Sequence, residues 1–164
     1  MTYKTHRMTI RSGAGLFLAL LMGGLAAGCD TTEPEPIEIL VPREVSNSDY
    51  TQTDTGLRFY DFTTGTGAEA DSSSQVEVHF AAWLTNSRLL SNTFDSENPV
   101  PVDLQSSNVL AGFAEGITGM RVGGERQLVV PPSLAYGSEG RPASGIPGNA
   151  TIIYEIELMS VDAP

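Results

Sequence analysis

Gln75–Leu84 reads QVEVHFAAWL, and its alternation decides the fold class. Successive side chains of an extended strand point to opposite faces, so Val76, Val78, Phe80, Ala82 and Leu84 share one side, while Glu77, His79 and Trp83 share the other. Near the C-terminus, Thr151–Val161 (TIIYEIELMSV) repeats the pattern, with Ile152, Tyr154, Ile156 and Leu158 set against Glu155 and Glu157. Gly56–Phe62 (GLRFYDF) and Arg126–Val130 (RQLVV) are further strands, the first followed by the turn-rich TTGTGAEAD. One apolar and one polar face per strand is the habit of an antiparallel sheet wetted on one side. His79, on the polar side, is expected to be a surface or structurally satisfied residue.

A single stretch has helical spacing. In SNVLAGFAEGITGM (Ser107–Met120), Val109, Leu110, Phe113, Ile117 and Met120 recur at about one turn, and Ser107 or Asn108 can cap the start. Gly112, Gly116 and Gly119 each cost about 1 kcal/mol against alanine in a helix interior. The segment is therefore expected to be held by packing across the sheet. Pro131–Ala150 (PPSLAYGSEGRPASGIPGNA) is too rich in proline and glycine for a helix or central strand, yet carries Tyr136 and Ile146. Loops of this length are more often functional or disordered than plain connectors.

The N-terminal region differs in kind. Lys4, Arg7 and Arg11 precede GLFLALLMGGLAAGC (Gly15–Cys29), which is shorter than the roughly 20 residues that span a bilayer and fits the core of a signal peptide. Small residues lead up to Cys29, the sole cysteine, in a pattern that resembles a bacterial lipobox, so residues 1–28 are expected to be cleaved and Cys29 acylated. Residues 29–53 are acidic and carry Pro34, Pro36 and Pro42, as a tether would, with IEILV as a short strand or docking segment. Residues 54–164 form the folded domain.

Charge narrows the function. Loss of Lys4, Arg7 and Arg11 leaves six basic against twenty acidic residues, a net charge of −14 with no lysine. Nucleic-acid binding needs clustered Lys and Arg, so it is not expected. There is no glycine-rich loop ending in Lys-Ser or Lys-Thr, no His-Glu-x-x-His and no cysteine pair. The expected chemistry uses no metal, cofactor or covalent nucleophile.

GLRFYDFTTGTG, VEVHFAAWL, TFDSENP, NVLAGFAEGITGMRVGGERQLVVPPSLAYG and GIPGNATIIYEIELM follow one another in an order that resembles the FKBP-type peptidyl-prolyl cis-trans isomerases, over about Thr55–Val161. The resemblance implies an α+β fold in which a twisted antiparallel sheet of about five strands wraps around one short helix. It also implies acceleration of X-Pro isomerisation in exported proteins. It implies Tyr136 and Asp95 as catalytic residues, Tyr136 donating to the bound peptide carbonyl and Asp95 tuning the local field. Phe80, Phe94, Val100, Val109, Leu110, Phe113, Ile146 and Tyr154 would bind substrate, with Phe113 in place of the family's usual tryptophan floor. Partners would be proline-containing unfolded proteins. The chain would be a monomer anchored by lipid on the periplasmic side or cell surface. The alternative is a binding or chaperone module of the same fold without useful turnover.

Overall fold

The computed structural model describes residues 41–162 apart from Glu97. The leader, Cys29 and residues 30–40 of the expected tether lie outside them. Seven strands occur: β1 (Thr51–Gln52), β2 (Arg58–Thr63), β3 (Gln75–Leu84), β4 (Leu89–Asn92), β5 (Val100–Asp103), β6 (Glu125–Val130) and β7 (Ile152–Asp162), with one helix, α1 (Ala111–Ile117), between β5 and β6. The sheet runs β1-β2-β6-β7-β3-β4, and β5 pairs with the start of β3 beside β4. Every pairing is antiparallel. The count exceeds the expected five because short edge strands flank the long ones: β1 and β4 are too brief for periodicity to mark, and β5 is interrupted by Pro101.

The core face follows the alternation. Val76, Val78, Ala82 and Leu84 of β3, Leu128 and Val130 of β6, and Ile152, Tyr154, Ile156 and Leu158 of β7 are buried together with Phe113 and Ile117 of α1. The glycines of α1 now have a purpose. A Cβ on Gly116 would stand 2.6 Å from Leu128 Cδ2, and one on Gly112 would collide with Val130 Cγ1. Glycine lets the helix axis come close enough to β6 to exclude water from between them. At its end, Arg126 donates from Nη1 to the Gly116 carbonyl at 2.9 Å and grips Asp61 from Nε at 2.6 Å and Nη2 at 3.0 Å. The helix starts later than its apolar spacing suggested: Leu110 is the cap, without a side-chain hydrogen bond, and neither Ser107 nor Asn108 serves.

Much of the second face is not wet. His79, Ala81, Trp83 and Gln127 are 1% exposed, and Val129 and Glu155 8%. The Val41–Tyr50 segment, expected to be tether, lies against part of this face. The Arg43 amide N–H donates to Glu155 Oε1 at 2.5 Å, its Nε to Oε2 at 2.8 Å and its Nη1 to Glu125 Oε2 at 2.8 Å. Gln127 donates from Nε2 to the Arg43 carbonyl at 2.8 Å and to Glu155 Oε1 at 2.9 Å, and accepts from the Tyr50 hydroxyl. The Arg43 guanidinium also lies 3.5 Å from the centre of the Phe62 ring. Buried polar groups demand partners, and this strap supplies them. His79 is likewise buried rather than exposed, with Nδ1 2.9 Å from the Thr93 carbonyl and its ring stacked on Phe94.

Candidate functional site

On the core face, between α1, β4 and the loop after β6, a cavity of about 350 Å³ opens to solvent. Its base is a triangle of aromatic rings. Phe113 meets Tyr154 at 5.0 Å and Phe80 at 5.5 Å, both edge to face, and Phe80 lies 6.1 Å from Tyr154. β3, β7 and α1 each contribute one ring, so three long-range packings fix the floor. Such edge-to-face pairs add about 0.5–1.5 kcal/mol beyond burial, which keeps the rings in place when the cavity is empty. Val100, Val109, Leu110 and Ile146 complete the apolar lining expected from the sequence, joined by Ala82, Val102 and Ile152.

The roof is the Pro131–Ala150 loop, here called the flap. It folds on itself: Arg141 and Ile146 exchange backbone hydrogen bonds at 2.8 and 3.1 Å, closing a small turn around the short 3₁₀ segment Pro142–Ser144. That bridge aims Ile146, 5% exposed, into the cavity. Gly140 makes it possible, since its φ is +66° and a Cβ there would lie 2.5 Å from the Pro147 carbonyl carbon. Tyr136 lines the wall, and its hydroxyl makes no hydrogen bond with any described residue. Tyr154 is buried to 7% exposure, and this burial, reinforced by nearby Tyr136, pushes its phenol well above the usual tyrosine range. It therefore stays protonated across the physiological range.

Two expected site residues are elsewhere. Phe94 stacks on His79 at 5.8 Å on the opposite face of the sheet, and Asp95 is exposed, accepting from Asn92 Nδ2 at 2.7 Å. The wall they were to form is built by Leu90 and Ser91, four residues earlier. Phe94 and Asp95 lie past the end of β4, in the turn that follows it, and β4 itself carries a β-bulge. Trp83 pairs with Leu89 but Ala82 with Ser91, leaving Leu90 without a partner across the ladder. An extra residue bends the strand, and both Leu90 and Ser91 reach the cavity. Ser144 of the flap also lines it, as a side chain the sequence did not assign to the site. The lining thus holds hydroxyls and apolar groups and no carboxylate, amine or guanidinium. Among the described residues no group of three or more His, Cys, Asp or Glu could hold a metal ion.

Comparison with known proteins adds the family. Residues 67–159 match the model of FKBP-type peptidyl-prolyl cis-trans isomerases. The chain is 37% identical over 107 residues to an FK506-binding protein of Neisseria meningitidis serogroup B, covering 65% of this chain and 96% of that one. It is 38% identical over 154 residues to the chloroplastic peptidyl-prolyl cis-trans isomerase FKBP16-4 of Arabidopsis thaliana, covering 90% of this chain and 66% of the relative. Among solved structures, FkpA from Escherichia coli superposes with a TM-score of 0.64 at 32% identity, over 70% of this chain and 52% of that one. The chain thus spans about two thirds of the Arabidopsis relative's length and about half of the FkpA chain. With an aromatic, flap-covered cavity on an antiparallel sheet, and with a family model matching more than half its length, the chain belongs to the FKBP-type peptidyl-prolyl cis-trans isomerases.

Proposed function

We propose that this cavity binds the proline of an X-Pro segment and accelerates its cis-trans exchange without a covalent step. The uncatalysed barrier, about 18–20 kcal/mol, comes from amide resonance that must be broken at the twisted geometry. A twisted amide has lost resonance and with it part of its carbonyl dipole, so a dry apolar environment favours it over either planar form. The observation that carries this reading is the lining itself: three rings packed edge to face and aliphatic walls around a volume suited to a proline ring, with unengaged hydroxyls at its edge. Tyr136 would donate to the peptide carbonyl that precedes the isomerising bond. Phe113, Phe80 and Tyr154 would hold the proline ring, and Ile146 would cover it. Ser91 takes the polar place on the β4 wall that had been given to Asp95.

The test is protease-coupled isomerisation of a proline tetrapeptide by the full chain. Tyr136→Phe should lower kcat/KM by about tenfold, the order of one lost hydrogen bond to a developing structure. Asp95→Ala should leave it within about twofold. No acceleration by folded protein at micromolar concentration would remove the enzyme reading. The absence of a carboxylate from the lining gives the binding-module reading its one support, and the same assay separates the two.

Export and anchoring through Cys29 form part of the proposal, supported by the basic and apolar leader and the small residues before the cysteine. Clients would then be proline-containing proteins folding outside the cytoplasm, met by a monomer. Cys29→Ser should move the protein from the membrane to the soluble fraction, and unchanged fractionation would overturn the anchor.

A further inference from the structure

Charge at the mouth of the cavity runs against the rest of the molecule. Of the six arginines among the described residues, Arg43, Arg121 and Arg126 are bound in salt bridges to Glu125 and Glu155, to Glu69, and to Asp61. Arg58 lies over Tyr50 on the strapped face and donates to Asn47. The remaining two, Arg88 and Arg141, are exposed, have no acidic partner among the described residues, and both meet the flap turn that carries Ile146. Arg88, at the β3–β4 turn, reaches across to donate to the Gly145 carbonyl, between the lining residues Ser144 and Ile146. Arg141 stands 5.8 Å from the centre of the Tyr136 ring and is bridged through its backbone to Ile146. The acidic side chains nearest in sequence are Glu139, which is exposed and unpaired with either, and Asp95, engaged by Asn92.

In a protein with twenty acidic and nine basic residues, the net field repels acidic chains. Two guanidinium groups without an acidic partner beside the apolar cavity offset that field locally, and each keeps free N–H donors, since a guanidinium carries five. We propose that the pocket selects proline segments carrying an aspartate or glutamate within a residue or two of the X-Pro bond, with Arg88 and Arg141 reading the carboxylate. The inference rests on the isomerase reading of the cavity and names its substrate class. Arg141 stands over the ring of Tyr136, whose hydroxyl is assigned to the peptide carbonyl, so a carboxylate adjoining the bound amide would come within its reach.

The experiment compares three proline peptides, identical but for a Glu, Gln or Lys beside the X-Pro bond, with the full chain at about 0.01 M and about 0.5 M salt. Glu should exceed Gln in kcat/KM by about threefold or more at low salt and Lys should fall below it, with the differences collapsing at high salt. Arg141→Ala and Arg88→Ala should each reduce the Glu-to-Gln ratio, and Arg141→Lys and Arg88→Lys should restore it. Arg58→Ala removes the same charge on the strapped face and should not change the ratio. A latch role alone for Arg88 would lower all three peptides equally, which overturns its part in recognition. A flat Glu-to-Gln ratio with good turnover overturns the inference and leaves the isomerase reading standing. If no peptide is turned over, the isomerase reading falls, and fluorescence binding of the same peptides decides this inference, equal affinities overturning it.

Discussion

Arg43→Ala tests whether the folded domain begins at the strap rather than at Asp54. Arg43 contributes two ion pairs and a ring contact, and the Glu155 side chain it holds is only 10% exposed against 38% for its own. Removing one partner of a fully buried pair costs about 3–5 kcal/mol because the other charge is stranded. Here the stranding is partial: Glu155 keeps the residue 43 backbone N–H and the Gln127 amide, and water can approach from the exposed side. The expected loss is about 1.5–3 kcal/mol, including roughly 0.5 for the cation–π contact with Phe62. For a domain of about 120 residues that lowers Tm by about 5–12 °C. Thermal unfolding followed by circular dichroism reads it directly. Glu155→Gln in the Arg43→Ala background should recover part of the loss, since it removes the stranded charge while an oxygen remains to accept from Gln127. A Tm within about 2 °C of the parent, or two substitutions whose effects add within about 0.5 kcal/mol, would refute the reasoning.

Gly116→Ala improves helix propensity by about 1 kcal/mol, yet it drives a methyl into the fully buried Leu128, an overpacking that costs about 1–3 kcal/mol; a lower urea midpoint is expected, and a raised one would mean that α1 can lift from β6. At alkaline pH, Tyr154 and Tyr50 are both raised by burial, so the unfolded chain ionises first, and stability should be unaffected below about pH 10 and fall above it. Tyr154→Phe should make that fall shallower in urea titrations at rising pH, and an unchanged slope would show that Tyr154 is not protected.

β3 and β7 were legible because their alternation is long and clean, and the core face they define is the one on which the site stands. What periodicity could not supply was the state of the opposite face. Glu155 and Gln127 read as surface residues until a strap more than eighty positions away closes on them, and nothing local to either announces Arg43 as partner. The helix was legible in type but not in start, because Val109 and Leu110 keep apolar spacing while still outside α1. Strand phase and helix phase put Phe80, Phe113 and Tyr154 on the core face, and the resemblance made them site residues. Phe94 and Asp95 were expected from the resemblance of TFDS to the family motif, and a motif match does not tell a residue in β4 from one in the turn after it, where both lie.

The corrected wall also sharpens the chemistry. A carboxylate in a cavity walled by Phe80, Leu90, Phe113 and Tyr154 would carry a desolvation cost, or would need a cation beside it, and no arginine lines the cavity to provide one. Ser91 carries a hydroxyl in that position at far lower cost, and it can accept or donate as the bound amide requires. Tyr154, whose phenol burial holds well above the usual tyrosine range, is neutral as well. An isomerisation that moves no proton gains nothing from a titrating group. It gains from a site whose dielectric stays low while the amide twists, because the planar forms lose more solvation on entering than the twisted form does. Specificity must then come from outside the dry volume, where charge is cheap to hold, and the two uncompensated arginines stand at that boundary.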